Sequence, residues 1–213
     1  MVENTMNKTA LPREMLVRLP KYLRYLREFA LHNKTKVSSG ELAEKLGITA
    51  SQVRRDLGQI GVNGHNGFGY IVSDVHRHIA EQLGLYSVQR VAILGAGNIG
   101  HALTSHRMFQ SRGFELVGVY DHDPSLVGTV IGGFTVQDIS SLAALPPEKR
   151  PAIAILAVSS ESANKVARYV ASLGIRGILN FCYTDIDVAG QVLVENIHID
   201  DSLMMLSYQL NQL

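Results

Sequence analysis

Six consecutive residues, Gly95-Ala96-Gly97-Asn98-Ile99-Gly100, have the spacing G-x-G-x-x-G. The apolar run Val91–Leu94 precedes them and a helical run follows. Phe114–Tyr120 then reads as a second strand with Asp121 at its end, 21 residues after Gly100. A glycine triplet alone is a weak signal. Strand, glycines, helix, strand and acid in that order are the context a dinucleotide fingerprint requires. The first glycine allows a tight turn, the second lets a pyrophosphate approach backbone N–H groups, and the third lets helix pack closely on strand. The helix N-terminus adds partial positive charge for the phosphates. Asp121 is placed to accept a hydrogen bond from a ribose 2′-hydroxyl and would repel a 2′-phosphate, which favours NAD over NADP.

Other chemistry is sparse. The eight histidines are scattered, without metal-ligand spacing, and no serine nucleophile elbow is present. The single cysteine, Cys182, excludes a disulfide within the chain and a cysteine cluster for zinc. It lies in the apolar run ILNFC and reads as a small buried residue. A dehydrogenase needs an acid or base beside the nicotinamide and a domain to hold substrate. After the last strand only about twenty residues and one histidine, His198, remain, so no catalytic role is expected.

The elements around the fingerprint set its geometry. Ala152–Val158 is a buried strand, Ser162–Leu173 its following helix, Arg176–Phe181 another strand and Gln191–Val194 a last short one. Between Asp121 and these lies HDPSLVGTVIGGFTV, a loop and then a short strand. Strands alternating with helices imply a Rossmann-like, doubly wound parallel sheet in an α/β protein. Ligands of such sheets sit at the carboxyl ends of the strands, which places Ala157, Val158, Asn180 and Phe181 beside the cofactor. At the tail, Asp200 or Asp201 caps a helix whose stripe Leu203, Leu206 and Leu210 is widened by Met204, Met205 and Tyr208. So apolar a helix should be buried, against its own sheet or against a partner chain.

The front of the chain differs in charge. Residues 1–86 carry a net +4 and the remainder a net −3, beneath an overall +1. That asymmetry suits a front end that meets a polyanion. Leu11–Leu31 is amphipathic, with Leu16, Leu19, Leu23, Leu26 and Phe29 or Ala30 at helical steps and Pro20 as a start or a kink. Ser38 and Glu41 have capping-box spacing before ELAEKLG. Thr49 and Gln52 offer a second box before SQVRRDLGQI, whose buried stripe is Val53, Leu57 and Ile60. Two short helices joined by a tight glycine-containing turn form a helix-turn-helix. Its second helix would present Ser51, Gln52, Arg55 and Gln59, with Arg54 alongside, to a major groove. A charged face of an ordinary helical pair is the alternative. Gly61–Val72 reads as a hairpin, the wing of a winged helix, with His65 and Asn66 at its tip, and Ser73–Gly84 as a helix leading to a linker.

These readings divide the chain into a winged helix-turn-helix domain (1–86), a Rossmann domain (87–196) and a C-terminal helix (197–213). No signal peptide or twenty-residue apolar run is visible. A soluble, cytoplasmic protein with no membrane association is expected.

Taken together, RLPKYLRYL, SSGELAEKLG, QVRRDL, the glycine-rich wing ending GFGY, GAGNIG, YDHDP, GILNF and the terminal LSY resemble the Rex family of redox-sensing repressors, from about Arg18 to Tyr208. The resemblance implies a homodimer with exchanged C-terminal helices that binds AT-rich inverted repeats. It also implies that NADH weakens DNA binding while NAD⁺ competes and permits it. Discrimination between the two would arise near Phe181 and the start of the tail helix. Two departures touch the DNA surface: His65-Asn66 replaces a usual Lys-Arg, and Gly58-Gln59-Ile60 replaces Ser-Tyr-Phe. Two others touch the switch. Arg24 keeps a family arginine, but His106 stands at a usual tyrosine and His198 at a usual aspartate. A neutral histidine accepts a hydrogen bond from Arg24 but supplies no negative charge, so the switch would be weakened, retuned or pH-dependent. A paralogue with a weakened redox response, a small NAD-dependent oxidoreductase and a CoA-binding module are the competing readings.

Overall fold

A computed structural model describes residues 10–65, 67–105, 109, 113–188, 190 and 192–213. The chain divides after Tyr86 into two compact units.

The first unit opens with α1 (Arg13–Leu31), which buries Met15, Leu19, Tyr22, Leu23 and Leu26. Leu16, expected in the stripe, is instead 42% exposed. Leu19, Leu23 and Leu26 are buried as expected, Met15 and Tyr22 extend the same face in place of Leu16, and Pro20 is carried inside the continuous helix. A short strand, β1 (Lys36–Val37), precedes α2 (Ser39–Leu46). Ser38 and Glu41 form the full capping box, and Gly47 ends the helix in the left-handed conformation. Helix α3 (Ala50–Gln59) begins at Thr49, whose side chain accepts from the Gln52 N–H. The second box is only half built, because the Gln52 side chain turns to Asp56. Val53, Leu57 and Ile60 are buried as expected.

Where a hairpin is expected over Gly61–Val72, the described residues show an isolated antiparallel bridge between His65 and Gly69. The strand that follows, β2 (Tyr70–Ile71), pairs antiparallel with β1, an element the sequence reading did not find. Two residues are too short for a period-2 pattern to register. Helix α4 (Val72–Gln82) then packs on α1.

The second unit is a seven-stranded sheet. Its strands are β3 (Gln89–Leu94), β4 (Phe114–Asp121), β5 (Val130–Ile131), β6 (Phe134–Asp138), β7 (Ile153–Leu156), β8 (Gly177–Asn180) and β9 (Leu193–Asn196). Their order is β5-β6-β4-β3-β7-β8-β9, and every pair is parallel except β5 with β6. The single strand expected after Asp121 is thus a two-stranded hairpin turning at Gly132-Gly133. The last strand lies two residues later than expected. Short 3₁₀ turns at Ile139–Ala144 and Pro147–Lys149 lead from β6 to β7, and Leu142 is buried from the first of them. Apolar clusters cover both faces of the sheet. Helix α5 (Asn98–Thr104) follows β3, and a helix at Ser160–Ser172 follows β7. A terminal helix, Ile199–Leu210, ends the chain with no buried residue.

Candidate functional site

The carboxyl ends of β3, β4 and β7 border a cleft of about 370 Å³, lined by Gly95, Gly97, Asp121, His122, Asp123, Pro124, Leu126, Ala157, Val158 and Ser159. Each glycine of the fingerprint meets a different constraint. Gly95 has φ +106°, and a Cβ there would lie 2.3 Å from the Ala157 carbonyl oxygen. At Gly100 a Cβ would lie 1.8 Å from the Gly95 carbonyl oxygen, so only glycine lets α5 pack this closely on its strand. A Cβ at Gly97 would meet nothing within 4 Å. It would project into open space, where a pyrophosphate needs bare backbone. These residues therefore fit a dinucleotide. Ala96 is buried, while Asn98 and Ile99 are exposed at the start of α5.

Asp121 is only 7% exposed. Its Oδ2 accepts from the Ala96 N–H at 2.6 Å, and its Oδ1 accepts from the N–H groups of His122 at 2.7 Å and Asp123 at 2.9 Å. The carboxylate thus ties the end of β4 to the glycine turn while lining the cleft. Asp123 lies beside it, less buried, with its carboxyl held below the usual range by hydrogen bonds from Ser125. The sequence reading passed over Asp123, although YDHDP offers a second acid two residues on.

Asn180 and Phe181 do not line this cleft. Asn180 is fully buried, donating to the Thr184 carbonyl and to Asn196 Oδ1 and accepting from the Cys182 N–H. Phe181 packs against an apolar cluster of the sheet. Cys182 is 3% exposed, and burial pushes its thiol up.

In the first unit, α3 exposes Ser51, Arg54, Arg55 and Gln59. The Arg54 guanidinium donates to Ser39 Oγ at 3.0 Å and Ser51 Oγ at 3.1 Å, which fixes it at the N-terminal end of α3. A recognition helix presents that end to base edges. Gln52 is half-buried, and its Nε2 donates to Asp56 Oδ1 at 2.7 Å. Asp56, which the sequence stripe omitted, is 1% exposed and also receives Arg18 and Tyr22. Burial alone would raise its carboxyl, but hydrogen bonds from Arg18 and Gln52 and the Arg18 charge hold it below the usual value. Burial beside this carboxylate drives the Tyr22 hydroxyl well above its ordinary value. His65 is exposed in the wing loop, and Asn66 lies outside the described residues.

Of the three switch candidates, Arg24 is exposed on α1 with its guanidinium 5.1 Å from the Tyr25 ring centroid. His106 lies outside the described residues. His198 precedes the terminal helix, with Nε2 3.5 Å from Asp185 Oδ1 and its ring edge-on to Tyr183. Tyr183 in turn donates to Asp200 Oδ2 at 2.6 Å. No described helix is long and apolar enough to cross a membrane, and the described residues contain no His, Cys, Asp and Glu cluster suited to a metal.

Residues 10–58 match the family model described as a putative DNA-binding protein N-terminus. Residues 87–184 match the CoA binding domain model. The redox-sensing transcriptional repressor Rex of Clostridium novyi (strain NT) is 40% identical over 194 residues, 91% of this chain and 92% of that protein. A crystal structure of RSP in complex with β-NAD⁺ and operator DNA superposes with TM-score 0.88 at 36% identity, over 96% of this chain and 94% of the other. RSP with β-NADH gives 0.87 at 35% identity, over 96% of each chain. With a helix-turn-helix unit, a dinucleotide-type cleft and relatives this similar over nearly their whole length, the chain belongs to the Rex family of redox-sensing transcriptional repressors.

Proposed function

We propose that this chain is a repressor that binds operator DNA as a homodimer and lets go when its cleft is filled by NADH, so that it reports the NADH/NAD⁺ ratio. The observation that carries the reading is the pairing, in one chain, of a recognition helix with exposed Arg54 and Arg55 and a cleft in which Gly97 is open while Gly95 and Gly100 are sterically required. The likeness to RSP solved with β-NAD⁺ and operator DNA, and with β-NADH, supports both ligands.

Linkage sets the condition for such a switch. NADH releases DNA only by binding the DNA-incompetent dimer more tightly than the competent one. Moving the dimer from mostly competent to mostly incompetent, 99:1 to 1:99, needs a preference of about 10⁴-fold. Gly95, Ala96, Gly97, Asn98, Ile99, Gly100 and Asp121 hold either nucleotide, with Ala157 and Val158 on the facing strand end. Ser51, Arg54, Arg55 and Gln59 contact DNA with His65 in support, and the inward turn of Gln52 reduces its part in base reading. Arg24, His106 and His198 stand at the positions that the Rex resemblance assigns to the switch. The terminal helix, exposing Leu203, Met204, Leu206 and Tyr208 in the single chain, is exchanged between subunits. The nucleotides act as effectors, without turnover.

Fluorescence anisotropy of a labelled AT-rich inverted repeat at fixed salt, titrated with NADH and then NAD⁺, tests the reading. Release by NADH and retention with NAD⁺ is expected. Tight binding indifferent to both would mean a DNA reader without a redox switch. NADH consumption at 340 nm with an added acceptor would instead mean an enzyme.

A further inference from the structure

The wing loop Gly61–Gly69 contains no lysine or arginine. A wing that follows a DNA backbone needs a cation, because phosphate neutralisation supplies most of the sequence-independent affinity. The fold brings one from elsewhere in the chain. The ladder between β1 and β2 pairs Lys36 with Ile71 and Val37 with Tyr70. Val37 and Tyr70 turn into the core, and Lys36 and Ile71 turn out. Gly69, at φ +72°, lets the wing lie against β1, since a Cβ there would be 2.4 Å from the Val37 carbonyl oxygen. The outcome is that Lys36 Nζ sits 4.5 Å from the centroid of the Phe68 ring, which is 67% exposed. Among the described residues no carboxylate pairs with Lys36, and a hollow of about 210 Å³ lies between Lys36, His65, Phe68 and Tyr70.

We infer that Lys36 and Phe68 together form the DNA-gripping element of the wing. The ammonium neutralises one backbone phosphate beside the minor groove, and the ring packs on the adjoining deoxyribose. Other DNA-binding proteins also bring apolar side chains such as phenylalanine into the minor groove, where they wedge between base steps. The ring also restrains the flexible lysine stem and so lowers the entropy cost of the contact. The assignment rests on the operator-binding function proposed above.

The test is the salt dependence of operator binding by the full-length protein, with anisotropy read between about 50 and 200 mM monovalent salt. One phosphate per wing and two wings per dimer make the slope of log K against log salt in Lys36→Gln shallower by about 1.8. The affinity lost over that salt range then shrinks by about ten-fold. Lys36→Arg should keep the slope, and Phe68→Leu should weaken binding with the slope retained. Lys149→Gln removes the same charge from the other unit and should leave the slope alone. Binding with an unchanged slope in Lys36→Gln overturns the wing contact by itself. No operator binding by the unsubstituted protein overturns the functional reading and the wing contact with it.

Discussion

Asp56, on the inner face of α3, accepts two hydrogen bonds from the Arg18 guanidinium, 2.7 Å from Nε and 2.8 Å from Nη2. This two-pronged pair fastens α1 to the helix that carries Arg54 and Arg55. Tyr22 and Gln52 satisfy further lone pairs of the same carboxylate. Removing one partner of a buried pair leaves the other charge uncompensated. Asp56→Ala should cost the first unit about 3 kcal/mol, read as a lower urea midpoint for loss of its helical signal. Because the folded carboxyl lies below its ordinary value of 3.8, this contribution is present above that pH and fades as the pH falls through it. A midpoint unchanged by the substitution at pH 7 would contradict it.

Glu41 gives a second pH dependence. The ammonium of Lys34 and the N–H and hydroxyl of Ser38 hold its carboxyl at about 2, against 4.5 when unfolded. A depressed carboxyl stabilises the fold above the unfolded value and stops doing so as the pH drops towards the folded one. Glu41→Gln should therefore destabilise by about 1 kcal/mol at pH 7. Melting curves of the two proteins should converge between about pH 4 and pH 2. A gap that stays constant over that range would show that the charge is irrelevant.

Gly97→Ala and Gly100→Ala should fail in different ways. The first adds a methyl to open space, so thermal stability should hold while NADH affinity falls about ten-fold or more through lost backbone approach. The second drives a methyl into the Gly95 carbonyl and should lower both. NADH fluorescence titration beside a melting curve separates them. Full NADH affinity in Gly97→Ala would remove the pyrophosphate from this turn.

Arg54→Ala and Arg55→Ala should each weaken operator binding by about 1–3 kcal/mol where the side chain reads a base. Arg54 is already held by Ser39 and Ser51, so Ser39→Ala should reproduce part of its loss. Anisotropy on operators altered at single base pairs checks both. Unchanged affinity in both arginine variants would move recognition away from α3.

The terminal helix predicts the assembly. Leu203 is 62% and Leu206 51% exposed in the single chain. Burying each against a partner is worth about 1.5–3 kcal/mol. Leu203→Glu with Leu206→Glu should convert a dimer to a monomer by light scattering after size exclusion. A dimer that persists would place the interface elsewhere.

Local signals made much of this protein legible in its amino-acid order. The glycine turn, the boxed start of α2, the α3 stripe and the buried strands of the sheet each depend on residues a few positions apart, where backbone sterics and periodicity act directly. Pairings across sequence distance were not legible. Arg18 meets Asp56 across 38 residues. Lys36 reaches Phe68 only because β1 pairs with β2. Asp121 turns back to the Ala96 N–H. In each case charge or hydrogen-bonding capacity was visible, but its partner was chosen by packing. A buried carboxylate must be paired, and the chain order does not say with what. Asn180 illustrates the same limit: sheet topology put it at a strand end, and tertiary contacts enclosed its amide within the unit. Composition and spacing determined which chemistries were available; the tertiary structure decided which side chains are left facing outward to use them.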